Sequence, residues 1–139
     1  VSLKVEYPAK IIVAWGEAIS GNAKIRDWLI ANGYPELGLF SFALRNDEAA
    51  RTWLMKNHYP HLMALINGSE GNRIAVQWLK NNGLEPMAKM ALAADNSDDA
   101  LVWLASNGYR EWAAIAERIR NVKNQIEWDN NDVHKISRN

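Results

Sequence analysis

Along most of the chain the apolar and polar positions recur in blocks. Trp28, Trp53, Trp78 and Trp103 stand 25 residues apart, and each is followed by a leucine: Leu29, Leu54, Leu79 and Leu104. Four positions after each tryptophan comes an asparagine, at Asn32, Asn57, Asn82 and Asn107. The block W-L-x-x-N continues with Gly33, His58, Gly83 and Gly108, then Tyr34, Tyr59, Leu84 and Tyr109. Three positions further stand Leu37, Leu62, Met87 and Trp112. Self-similarity at a fixed period marks a fold built from stacked supersecondary units, none of which buries its apolar face alone.

The polar punctuation inside each unit predicts two short helices. The first begins after Asn22, Asp47, Asn72 or Ser97, whose side-chain oxygens suit the free N–H groups of a first turn. It ends at the Asn-Gly pair, where glycine supplies a left-handed backbone; His58 takes that place in the second unit and closes it with more strain. The second helix starts at Pro35 or Pro60, with Glu85-Pro86 and Arg110-Glu111 as the counterparts. Its apolar stripe runs through Leu37, Phe40, Ser41 and Leu44, then Leu62, Leu65 and Ile66, then Met87, Met90, Ala91 and Ala94. In the first helix Ile25, Ala50, Ala75 and Ala100 stand three before each tryptophan on the same face, where small side chains allow close approach.

The expected fold class is all-α: a short α-α superhelix, or solenoid, of four 25-residue helix-turn-helix repeats with terminal capping helices. One domain is expected over residues 1–132, with an N-terminal cap helix at 8–20 and repeats at about 22–46, 47–71, 72–96 and 97–121. Trp128 falls 25 after Trp103, but Asp129 replaces the leucine, so 122–132 reads as a degenerate C-terminal cap and 133–139 as a polar tail. The recurrence of tryptophan beside leucine places the Trp column in the inter-repeat core, so alanine at Trp53 or Trp78 is expected to cost about 3–5 kcal/mol. The Asn column is expected to satisfy backbone groups of its own turn.

Over roughly residues 7–128 this pattern resembles the α-solenoids, the helix-pair repeats that include armadillo, HEAT and tetratricopeptide proteins. The period is shorter than the ~34 to ~47 residues of those families, and short-repeat proteins of bacteria are the nearer likeness. That resemblance implies a fold, a right-handed superhelix by the habit of the class, and no activity or site residues.

Composition narrows function mainly by exclusion. The absence of cysteine removes thiolate nucleophiles, disulfides and cysteine-based metal sites. With 16 basic and 16 acidic residues there is no global field toward nucleic acid or anionic membranes. Uninterrupted apolar runs, such as Ile11 to Trp15, are far below the ~20 residues of a spanning helix, and the N-terminus lacks the order of a signal peptide, so a cytoplasmic, non-membrane protein is expected. His58 and His61, with Glu36 or Glu85, are too few fixed ligands for a metal centre; no catalytic motif is present, and neither an enzyme nor a cofactor is expected.

Two columns vary between units and are candidates for contact with a partner: Arg26, Arg51, Val76 and Leu101, and Ile30, Met55, Lys80 and Ala105. If both face outward, Arg26, Arg51, Ile30 and Met55 form a patch of protein-binding composition, while the first column could instead be partly buried stems. The expected function is a non-catalytic module binding a protein or peptide, with self-association through Trp112 and Trp128 as one form of it. The alternatives are a nucleic-acid-binding repeat through Arg118, Arg120 and Lys123, with Lys135 and Arg138 beyond, and an enzyme with no recognisable motif. Glu117, Glu127, Asp129 and Asp132 offset that cluster and argue for a solvated face.

Overall fold

The computed structural model describes residues 5–131, which are all-α, with nine helices and no strand among them. They are α1 (Ala9–Ile19), α2 (Ala23–Ala31), α3 (Pro35–Leu44), α4 (Glu48–Lys56), α5 (Pro60–Ser69), α6 (Arg73–Asn81), α7 (Glu85–Ala94), α8 (Asp98–Ser106) and α9 (Arg110–Asn131). From α2 onward, alternate helices start 25 residues apart. The expectations for Asp132, Lys135, Arg138 and the 133–139 tail lie outside the described residues.

Each boundary has its cause in a named side chain. Asn22, Asp47, Asn72 and Ser97 accept hydrogen bonds from the backbone N–H of Ile25, Ala50, Ala75 and Ala100, at 3.2, 2.9, 3.1 and 3.2 Å. At the other end, the Nδ2 groups of Asn32, Asn57, Asn82 and Asn107 donate to the carbonyls of Trp28, Trp53, Trp78 and Trp103 at 2.7 to 2.8 Å. The Asn column is therefore structural. His58 holds φ 69° at the turn where Gly33, Gly83 and Gly108 also have positive φ. A second left-handed column, Gly21, Asn46, Gly71 and Asn96, precedes each N-cap and was not among the expected features.

The odd-numbered helices form an inner layer and α2, α4, α6 and α8 an outer one. Trp15, Phe40, Leu65, Met90 and Ile115, one from each inner helix, are all buried in a common core. The stripes expected on α3, α5 and α7 are buried without exception. Trp15 sits edge-on to Phe40, with ring centroids 5.1 Å apart, and edge-on to Trp112 at 6.0 Å. Trp15 lies on α1 and Trp112 on α9, so the first and last helices pack against each other.

Three expectations need correction. The tryptophan column is not core: Leu29, Leu54, Leu79 and Leu104 are fully buried, whereas Trp53, Trp78 and Trp103 are half-buried and Trp28 is 48% exposed. Adjacent positions on a helix point about 100° apart, so only one of each Trp-Leu pair can face the centre, and the smaller, unindented leucine does. The segment from residue 122 forms no separate cap, because α9 runs unbroken from Arg110 to Asn131. Trp112 does not leave an apolar end open, since it rests on Trp15; Trp128 is exposed.

Candidate functional site

The basic residues singled out in the sequence are engaged within the fold. Arg51 donates through Nε to the carbonyl of Ala43 at 2.9 Å, and through Nη2 to Asn46 and to Glu70 at 3.0 and 3.2 Å. Arg120 does the same at α7, with Nε on the Ala93 carbonyl at 2.8 Å and Nη1 on Asp98 at 2.9 Å. Arg118 bridges α9 to α1, donating to the Gly16 carbonyl at 3.1 Å, Ser20 Oγ at 2.8 Å and Glu17 at 3.2 Å. Lys123 is buried between Asp95 at 3.2 Å and Glu127 at 3.5 Å. Arg45, not anticipated, donates to the carbonyls of Ile19 and Ser41 at 2.8 and 3.2 Å. The charged groups of all five reach the C-terminal ends of α1, α3 or α7, where the negative end of the helix dipole favours cations.

The outward patch is divided in the same way. Arg26 lies over the Phe42 ring, 4.4 Å from its centroid, and its Nε is 3.1 Å from Asp27. Ile30 is half-buried over Gly38, where an added Cβ would come within 2.8 Å of the Arg26 carbonyl oxygen; only glycine lets α2 and α3 approach that closely. Met55 alone of the four is largely exposed. The Arg26, Arg51, Val76 and Leu101 column is thus partly buried, the second of the two arrangements expected for it.

His58 is exposed and His61 fully buried, so they share no surface. Among the described residues no group of three or more His, Asp or Glu side chains is placed to hold a metal ion. Near His61 is a buried polar cluster. Tyr7 Oη donates to Glu36 at 2.8 Å, and the His61 ring is 5.9 Å from that of Tyr59, which in turn stacks on Trp53 at 5.9 Å. Burial first, then the hydrogen bond to Glu36 and its charge, push the Tyr7 hydroxyl pKa well above its ordinary value. Burial and Glu36 raise that of Tyr59 as well.

Tyr7 also leads to a feature with room for a ligand. A cavity of about 560 Å³ opens where the segment from Val5 to Tyr7 passes the N-terminal ends of α7 and α9. Its floor is apolar: Ile12, Met87 and Met90 are buried beneath it, and Leu84 and Pro86 edge it. Tyr109 and Trp112 supply aromatic faces, with Tyr109 stacked on Trp103 at 6.0 Å and 5°. Glu6 and Glu111 are its charged lining residues. Sequence reasoning missed this site, although one signal was present: Leu84, a lining residue, breaks a column that is tyrosine at 34, 59 and 109.

The opposite end is partly covered. The second half of α9 lies across the C-terminal end of α7, with Lys123 on Asp95 and Asn124 paired with Asn96 at 2.9 and 3.3 Å, and Ile126 and Leu44 line a cleft beside it.

No protein-family model, no curated protein and no solved structure matches the chain. What the coordinates define is an all-helical protein of nine helices in the described residues, consistent with a helical-repeat architecture. None of those helices is long and apolar enough to cross a membrane.

Proposed function

We propose that the protein is a non-catalytic binding module for a protein or peptide, built as a short α-α array of four 25-residue helix pairs whose first and last helices meet. The observation that carries this reading is the open cavity of about 560 Å³ with an apolar, methionine-rich floor. It stands in a fold whose Arg51, Arg118 and Arg120 and whose repeated asparagines are held on helix-end carbonyls. Its size falls within the ~300–1,000 Å³ of ordinary ligand sites, and methionine adapts to varied side chains. Exposed apolar residues on the outer helices add contact surface. Ile74 is 81% and Val102 62% exposed, at positions where the other units carry Lys24, Ala49 and Asp99, and Asp27, Thr52 and Gln77. Packing does not require them there.

A foreign partner fits better than a second copy, because the apolar end surface that self-association would use is reduced by the cover Trp15 gives Trp112. Nucleic acid is disfavoured by the internal pairing of Arg118, Arg120 and Lys123. The test is selection from a displayed random peptide library against the intact chain, with single-stranded RNA and duplex DNA titrated in parallel. Enriched peptides that bind in solution support the module. Salt-sensitive binding of either nucleic acid with no enriched peptide overturns it.

A further inference from the structure

We infer that the cavity beside Tyr7 receives a lysine side chain of the partner; this rests on the binding-module reading and names what that module recognises. Three features of the lining select that residue. First, among the described residues all of its charge is negative: Glu6 and Glu111 line the cavity, no described basic side chain does, and neither acid has an ion-pair partner there. Secondly, both carboxylates are solvent-exposed while Met87, Met90 and Ile12 lie buried at the floor, so the apolar stem and the charged end of one long side chain each meet matching chemistry. Thirdly, Tyr109 and Trp112 are aromatic lining residues, and an aromatic ring attracts an ammonium ion placed over its face within about 6 Å. The chain makes the same contact internally, with Lys89 Nζ 5.4 Å from the Trp103 ring centroid.

Helix dipoles pull the other way, because the positive N-terminal ends of α7 and α9 border the site. A full dipole end amounts to about half a unit charge, and α7 already has Glu85 in its first turn, 4.0 Å from Lys89. Glu111 is thereby partly offset by the start of α9, but Glu6, on the extended segment, is not. Among the described residues net negative charge remains at the mouth. An anionic or purely apolar occupant would leave it unmatched.

The experiment uses the full chain labelled at the methionine methyl carbons, with a capped Ala-Ala-Lys-Ala-Ala peptide as probe and its acetyl-lysine and norleucine counterparts as comparisons. The Met87 and Met90 methyl resonances should shift on titration with the lysine peptide, and binding of both counterparts should be about fivefold weaker or more. A Glu6→Gln, Glu111→Gln double variant should lose the same factor and much of the dependence on salt. Leu84→Tyr restores the residue of the other three units, so it should fold normally and still block the methionine shifts. Equal binding of the lysine and acetyl-lysine peptides, indifference to the double substitution, or absence of any methionine shift overturns the assignment. Should displayed peptides be selected with no need for lysine, the module stands and the lysine pocket falls; should none be selected, both fall.

Discussion

Alanine at Leu54 is expected to destabilise the fold more than alanine at Trp53, the reverse of what side-chain size suggests. Leu54 is fully buried, and its truncation removes three carbons, worth roughly 2.4 kcal/mol at ~0.8 kcal/mol per buried methylene. The cavity left behind raises the loss to about 3–4 kcal/mol. Trp53 is half-buried, so the ~3–5 kcal/mol of a core aromatic applies only in part, even counting its near-parallel stack on Tyr59 at 5.9 Å and 9°. About 1.5–2.5 kcal/mol is expected there. Urea unfolding followed by far-UV circular dichroism separates the two, since fluorescence would change with the tryptophan itself. With a central difference of about 1.5 kcal/mol and a slope of ~1–3 kcal/mol per molar urea, the midpoints should differ by about 0.5–1.5 M. An equal or inverted order at unchanged slope would refute the assignment of the leucines, rather than the tryptophans, to the core.

Three further outcomes follow from individual contacts. His58→Gly removes a left-handed non-glycine residue at φ 69° and should stabilise the chain by about 1 kcal/mol in the same urea assay; a loss of stability would show that the imidazole makes a contact outweighing its backbone strain. Arg118→Ala breaks the three contacts joining α9 to α1 and, allowing for its partial exposure, should cost about 1–2 kcal/mol. Hydrogen exchange should then speed up in α1 and the first half of α9 before the middle helices, and a uniform increase would count against a local clamp. Tyr7→Phe should lower stability at neutral pH and reduce sensitivity to alkali. Because the folded state raises the Tyr7 pKa above 10.0, that contribution is fully present below pH 10 and is lost as pH rises toward the folded value. Parallel pH profiles of the parent and Tyr7→Phe above pH 10 would exclude it.

How much of this was legible beforehand depends on whether a property is local. The caps at Asn22, Asp47, Asn72 and Ser97, the proline starts of α3 and α5, the asparagine ends and the strained His58 turn each depend on a few neighbouring residues, and each stands where the sequence places it. The tryptophan column misled because recurrence identifies a position that packing constrains without saying how deep it lies. The same 25-residue spacing fits a ring half covered by the next helix pair. Closure of α9 on α1 was not legible, since it depends on Trp15 meeting Trp112 and Arg118 meeting Gly16 across about a hundred residues. The cavity was visible only as Leu84 interrupting a tyrosine column, a departure whose meaning requires knowing that the N-terminal segment passes beside it.

The distribution of charge between the two ends links these results. Arg45, Arg51, Arg118, Arg120 and Lys123 gather where inner helices finish, and Glu36, Glu85 and Glu111 stand where α3, α7 and α9 begin. Helix polarity alone produces that separation, because parallel inner helices stack their dipoles in one direction. A basic cluster in the sequence of such a protein therefore marks a helix-end face and is weak evidence for a nucleic-acid site. The same reasoning makes the acid at the opposite end informative only where it exceeds the dipole's demand. Glu6 meets that condition: it belongs to no helix, yet it lines the cavity beside the N-terminal ends of α7 and α9. Glu6→Gln alone should accordingly weaken the lysine peptide more than Glu111→Gln alone, whose charge the start of α9 already offsets. Titration of the two single variants, read at the same methionine resonances, checks that order, and a larger effect at Glu111 would mean that the helix end does not discount its charge.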